Sequence, residues 1–210
     1  MKLYGFGPAA SAQRVRVFLA EKGLDIPTEQ LNVRDDDQFA AAFTAMNPFH
    51  CVPFLELEDG TVIAESVSIC RYLEELHPEP ALFGRTAVER AVIDMWLRRF
   101  ELDGLVPMVH AVRNHVPMFA GKVVPGTRTD LPQLPAMVIR GKELMEILLG
   151  RVEPHIARSE FVAGPEFTIA DITGFFAIRL TRVLEMDIAT RYPAVANWFA
   201  KVSARPTFQF

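Results

Sequence analysis

One stretch divides the 210-residue chain, "PEPALFGRT" at 78–86. Before it, strand and helix signals alternate; after it, the apolar runs repeat at helical spacing. "KLYGF" (2–6) reads as a strand. From Ser11 to Lys22, Val15, Phe18 and Leu19 recur at helical spacing, and Gly23 stands where a C-cap is wanted. "TEQLNV" (28–33) is a second strand candidate, followed by the polar "RDDD" and a short Ala-rich helix, "FAAAFTAM" (39–46). "PFLEL" and "TVIA" flank "EDG", a hairpin signal. Ser66 opens a helix whose Ile69, Tyr72, Leu73 and Leu76 form one face, stopped at Pro78. The order is βαβ, helix, ββ, helix.

Beyond the linker, Val88, Ala91, Val92, Met95 and Trp96 start a long amphipathic run that continues through Leu102 and Val109. Another spans roughly 132–158. "FTIADITGFFAIRL" carries a strong start signal, with Thr168 as N-cap, Asp171 three residues on, and Phe167 placed to staple against Ile172. A last helix covers about 193–203. The expected organisation is an α/β domain over 1–80 and an all-helical domain over 87–210. The charge supports a division: residues 1–80 hold 6 basic and 13 acidic side chains (−7), and the remainder holds 16 and 13 (+3).

The bulk numbers exclude several classes. Half of the residues are hydrophobic and 23% are charged, the composition of a folded protein with a core. A formal charge of −4 without a basic block argues against a nucleic-acid partner. No run approaches the ~18 apolar residues of a membrane span. Lys2, an apolar stretch and "ASA" at 10–12 imitate a signal peptide, but Gly5, Gly7 and Pro8 break the apolar part. The two cysteines, Cys51 and Cys70, have no metal-ligand spacing and no CxxC, which points to a reducing, cytoplasmic setting without a metal. The remaining question is Ser11, a lone hydroxyl in "GPAASAQRV" where a strand hands over to a helix. It either caps the helix or holds something negative at the helix N-terminus.

"NPFHCVPFLELEDGTVIAESVSICRYLEE" (47–75) resembles the glutathione-binding half of the cytosolic glutathione S-transferases, with NP-x-x-x-VP-x-L, an acidic hairpin, and E-S opening a helix. "FVAGPEFTIADITGFFAI" and "VSARPT" resemble that family's second domain, so the resemblance covers nearly the whole chain. It implies a thioredoxin-like α/β first domain, an all-α second domain, a homodimer built around the 66–76 helix and the helix from about 88, and glutathione as co-substrate. The activity implied is transfer of the glutathione thiol to a small, mostly apolar electrophile, as in serine-type members. The other classes open are a glutathione-dependent peroxidase or disulfide reductase, through a mixed disulfide at Cys51, and a non-catalytic glutathione-binding protein.

The site residues follow from the same resemblance. Val52, before a cis Pro53, pairs its backbone with the cysteinyl amide of glutathione. Ser66 holds the γ-glutamyl carboxylate at a helix N-terminus, where N–H groups and the dipole favour an anion, or simply caps that helix, and Glu65 takes the ammonium. Ser11 is the catalytic candidate, although alignment on Arg14 puts Ala9 at the usual serine position and Ser11 two residues later. Cys51 replaces the family's glutamine before "VP". Gln38 stands near positions that bind the glycyl carboxylate in plant-type members, or is a solvent-exposed glutamine. Asp103 reaches the γ-glutamyl amine of the partner subunit, or is an exposed acid; His110 and Arg113, with Asn114 and His115, line the second pocket or end a helix. Cys70 belongs to the core.

Overall fold

A computed structural model describes residues 1–209 and divides them into two compact units, Met1–Pro80 with Pro125–Arg128, and Ala81–Val124 with Thr129 onward. The short segment 125–128 thus packs with the first unit, although the sequence reading put it in the second.

The first unit is built on a four-stranded sheet of order β2-β1-β3-β4, from β1 (Lys2–Gly5), β2 (Thr28–Gln30), β3 (Phe54–Glu56) and β4 (Val62–Ala64). β1 runs parallel to β2 and antiparallel to β3, which pairs antiparallel with β4. Alternation along the two central strands buries both faces. Tyr4 and Phe54, register partners, stack at 4.6 Å and pack with Leu31, Phe43 and Met46. The neighbouring pair Leu3 and Leu55 is buried too. Helices α1 (Ala10–Lys22), α2 (Ala41–Met46) and α3 (Ser66–Leu76) complete the unit. Gly23 closes α1 at φ 65, as its position suggested. Three expectations shift. The second strand stops at Gln30. The Ala-rich helix breaks at Ala40, whose ψ of 145 separates a 3-10 turn over Asp37–Phe39 from α2. The inward face of α3 is Ile69, Cys70, Leu73 and Glu74, leaving Tyr72 half-buried and Leu76 exposed.

α1 and α3 share a polar seam. Arg14, Phe18 and Lys22 repeat every four residues along α1; Ser66, Cys70 and Glu74 do so along α3, so each trio lies on one helix face. Arg14 Nη1 donates to Ser66 Oγ at 3.1 Å, and Lys22 Nζ meets the Glu74 carboxylate at 2.5 Å. Matching ends meet, so the helices run parallel. Lys22 Nζ also donates to the carbonyls of His77 (2.8 Å) and Pro80 (2.5 Å), so its fully buried head group has two hydrogen bonds beside the ion pair. Cys70, between the two polar contacts, is buried, and burial pushes its thiol up to about 12.

The second unit is helical: α4 (Ala87–Arg99), α5 (Val106–His115), α6 (Pro135–Ile156), α7 (Ile169–Thr181), α8 (Ile188–Arg191) and α9 (Pro193–Ser203). Between α4 and α5 the helix widens to a π-type segment, Phe100–Leu105, in which the Val106 N–H bonds back to Glu101. The reason is Pro107, which has no N–H to give the Asp103 carbonyl and whose ring crowds it. Of the apolar stripe on α4, Val88 and Met95 are 72% and 50% exposed and Val92 and Trp96 are half-buried, whereas Ile93 and Leu97 form the buried face. The α7 start is as expected, a capping box between Thr168 and Asp171. Phe167 differs, meeting the rings of Phe161 and Phe208 edge-on.

Asp171 does more than cap. Its carboxylate accepts from Val162 N (2.8 Å), Thr168 N (2.9 Å), Thr168 Oγ1 (3.1 Å) and Trp198 Nε1 (3.0 Å), joining the start of α7 to a loop and to α9. Burial raises its pKa to about 6 against the pull of those four donors.

Two stability outcomes follow. Lys22→Met strands the Glu74 carboxylate and two carbonyls, and should cost about 3–5 kcal/mol in urea unfolding; a loss below 1 kcal/mol would mean that the seam is water-accessible. For Asp171, a folded pKa above the unfolded value near ~3.9 favours the protonated form in the native state. That contribution is complete below about pH 4 and lost as pH rises through 6, an expected decline of about 1–3 kcal/mol in unfolding free energy. Asp171→Asn should flatten this part of the profile, whatever its offset; parallel profiles would refute the assignment.

Candidate functional site

The residues expected to bind glutathione in the first unit converge on the loop before β3 and the N-termini of α1 and α3. Asn47 organises the loop. Its Nδ2 donates to the Cys51 carbonyl at 2.8 Å, and its Oδ1 accepts from Phe49 N at 3.2 Å. This fixes the chain into the Val52–Pro53 peptide, which is cis. It is also the physical content of the NP-x-x-x-VP pattern, since Asn side chains close short turns on nearby backbone.

Ser11 lies in the first turn of α1 but is not its cap. The N-cap of α1 is Ala9, which has no capping side chain, and Ser11 is the second helical residue. Its hydroxyl donates instead to the Val52 carbonyl at 2.9 Å. The cap reading is therefore corrected: Ser11 braces the cis-proline loop against the start of α1. A hydroxyl has one proton, here directed to Val52. The first turn of α1 carries no acidic residue, and its leading N–H groups have no acceptor within the helix.

α3 begins with Glu65 at the cap position and Ser66 as first helical residue. Ser66 is therefore not the cap either. Glu65 is exposed and takes φ 70, ψ 120, a conformation that L-residues rarely adopt and that costs of order ~1–3 kcal/mol. Ser66 is buried, and Arg14, 2% exposed, donates to its oxygen. With that lone pair engaged, the Ser66 proton is directed elsewhere, beside the N–H groups that open α3. Arg14 is a site residue that sequence reading passed over, using it only as an alignment mark. Its spacing from Lys22 was the available signal.

Gln38 is buried, which corrects the solvent-exposed reading; its side-chain oxygen has no hydrogen-bond partner among the described residues. Cys51 is half-buried directly before Val52, and neither it nor Cys70 forms a disulfide. In the second unit, Asp103 pairs with Arg99 one turn back, at 3.1 Å. Arg113 clasps the Lys122 carbonyl through Nε (2.9 Å) and Nη2 (2.5 Å), and Asn114 bonds the His110 carbonyl and Leu134 N. These two side chains hold loops in place. His110 is half-buried and His115 exposed. Among the described residues there is no group of three or more His, Cys, Asp or Glu able to hold a metal, and no helix long and apolar enough to cross a membrane.

The N-terminal domain model of glutathione S-transferase matches residues 10–76 and the C-terminal domain model matches 130–206. The chain is similar to glutathione S-transferase 3 of Zea mays, 30% identical across all of this chain and 91% of that one. The chain belongs to the glutathione S-transferase family. A Gtt2-class glutathione S-transferase of Vibrio parahaemolyticus superposes with a TM-score of 0.85 at 35% identity, covering 100% of this chain and 96% of that chain. A Drosophila melanogaster protein named probable maleylacetoacetate isomerase 1 is 29% identical over 93% of this chain and 74% of its own. The fold is thus the glutathione S-transferase fold, a four-stranded mixed sheet with helices plus a helical second part.

For this transferase-family site, Ser11→Ala removes a brace from Val52. The expected result is a loss of about 0.5–1.5 kcal/mol in stability and a few-fold higher KM for glutathione, with the thiolate pKa read by ultraviolet absorbance unchanged. A bound-thiol pKa rising by a unit or more would instead make Ser11 the direct thiolate donor.

Proposed function

We propose that the chain is a glutathione transferase, active as a homodimer in a reducing, cytoplasmic compartment. The reading is carried by one observation: Ser66, at the open N-terminus of α3, has its oxygen engaged by buried Arg14, leaving the hydroxyl proton for an incoming acceptor. Glutathione lies extended along Val52, its cysteinyl amide paired with that residue's backbone. Its γ-glutamyl carboxylate takes the Ser66 hydroxyl and the first N–H groups of α3, and its ammonium faces exposed Glu65. The thiol then stands near the N-terminus of α1, whose N–H groups favour the thiolate. The thiol gives up its proton to solvent, sulfur bonds to the electrophilic carbon, and the leaving group departs with the electron pair of its bond.

Lowering the thiol pKa supplies little of the rate. A shift from ~8.5 to ~6.5 raises the ionised fraction at pH 7 about 25-fold, while a Brønsted slope near ~0.45 removes about 8-fold in nucleophilicity. The net gain is roughly threefold, so most of the acceleration comes from holding two reactants together. The second reactant is a small, mostly apolar electrophile. The exposed Val88 and Met95 on α4 and, separately, the exposed Leu76 on α3 support an isologous two-fold dimer. Asp103 reaches across to the partner's glutathione only if its Arg99 pair opens.

Calorimetry of glutathione binding tests the reading. Ser66→Ala should weaken binding by about 5- to 30-fold, or ~1–2 kcal/mol. Glu65→Gln should weaken binding with the fold intact. Wild-type affinity in both variants would sink the glutathione site. Turnover of an aryl halide, a hydroperoxide, hydroxyethyl disulfide and maleylacetoacetate then separates transferase, peroxidase, reductase and isomerase activities; binding without turnover would favour a non-catalytic role.

A further inference from the structure

Residues 125–128 pack with the first unit, far from it in sequence, and fall outside both stretches that the family models match. Their seat admits only glycine at one point. Gly126 takes φ +72, and a Cβ there would lie 2.1 Å from the Phe49 carbonyl and 2.8 Å from the Cys51 sulfur. The segment therefore lies against the loop that ends in Val52–Pro53. Two residues on, the Arg128 guanidinium stacks over the Phe39 ring at 4.1 Å, and Phe39 meets the His50 ring at 4.7 Å. Asp36 stands 3.6 Å from Nη2, near enough to attract and too far to hydrogen-bond. Among the described residues no acceptor comes within hydrogen-bond distance of this guanidinium. It is a half-exposed planar cation, held flat by an aromatic ring, with its fork of donors unfilled.

That fork matches a carboxylate. In the glutathione reading above, the peptide pairs with Val52 at its middle residue, so its two ends leave Val52 in opposite directions. One end goes to Ser66. The other carries the glycyl carboxylate past the 49–51 loop, on which the 125–128 segment rests. Asp36, the carboxylate seen beside the guanidinium, would repel that carboxylate unless a cation stood with it.

We propose that Arg128 is a specificity-determining residue that receives the glycyl carboxylate of glutathione; the assignment rests on the glutathione reading of this site. It makes the chain distinguish glutathione from γ-glutamylcysteine, which has the same thiol and γ-glutamyl end and lacks the glycine. The neighbouring Asp36 and Phe39 hold the guanidinium in register before the ligand arrives.

Calorimetric titration of wild type, Arg128→Gln and Arg128→Lys with each of the two thiols tests this. Wild type should prefer glutathione by about 10-fold, a loss expected for one exposed charge-assisted pair, and Arg128→Gln should abolish the preference by weakening glutathione alone. Arg128→Lys, which keeps the charge without the fork, should retain part of it. A preference that survives in Arg128→Gln, or equal weakening of both thiols, would overturn the assignment while leaving the Ser66 site standing. Failure of wild type to bind either thiol would overturn the glutathione reading and this assignment with it.

Discussion

The buried seam between α1 and α3 is the constraint on which the first unit depends. A lysine head group and a carboxylate taken out of water are tolerable only if nearly every proton and lone pair is met. Lys22 meets that condition with Glu74 and two carbonyls that lie just past the end of α3. The contact therefore fixes the axial register of the two helices and the course of the chain leaving them. Register at the C-terminal ends sets register at the N-terminal ends, eight residues back on each helix. That is where Arg14 meets Ser66 and where Ser11, one turn earlier on α1, meets Val52. A site made from two helix starts and one loop inherits its geometry from an ion pair at the opposite end of the same helices.

The element order and the binding signatures were legible because each rests on local chemistry. Gly23 ends α1 because an αL position favours glycine, and Thr168 with Asp171 starts α7 because the two groups satisfy each other's backbone donors. What was not legible required knowing which way a helix faces. Val88, Met95 and Leu76 sit in good apolar stripes, yet they point outward, and periodicity alone does not tell a core face from an interface. The converse limit hid the seam: burial of charge is rare, so nothing in the sequence marked Arg14, Lys22 and Glu74 as buried. The eight-residue spacing of Arg14 from Lys22 was visible, but its meaning came only from the pairing of two helices distant in sequence.

Ser11 illustrates a further limit. Its position at a strand-to-helix junction fits a cap or a thiol donor, and both readings treat the serine as acting alone. The structure gives its proton to Val52, forty-one residues away. A long-range partner of this kind leaves no trace in the residues around Ser11. Arg128 is the same case at greater distance, reaching the first unit from beyond residue 120.

Electrostatics decide how such a site can attract its ligand. Residues 1–80 carry −7, and glutathione at neutral pH carries a net negative charge, so the long-range field of this stretch opposes encounter. In the binding mode proposed above, affinity comes from donors close enough to escape screening: the open N–H groups of α3, the Ser66 hydroxyl with Arg14 behind it, and the unfilled guanidinium of Arg128. Each faces a different part of a ligand with two carboxylates. An acidic surround with a few fixed cations rejects anions that present one carboxylate, because one contact does not offset the repulsion. It accepts a ligand whose charges are spaced to meet all of the donors together. In that proposed mode, selectivity for a tripeptide thiol follows from the same net charge that makes the domain a poor anion trap.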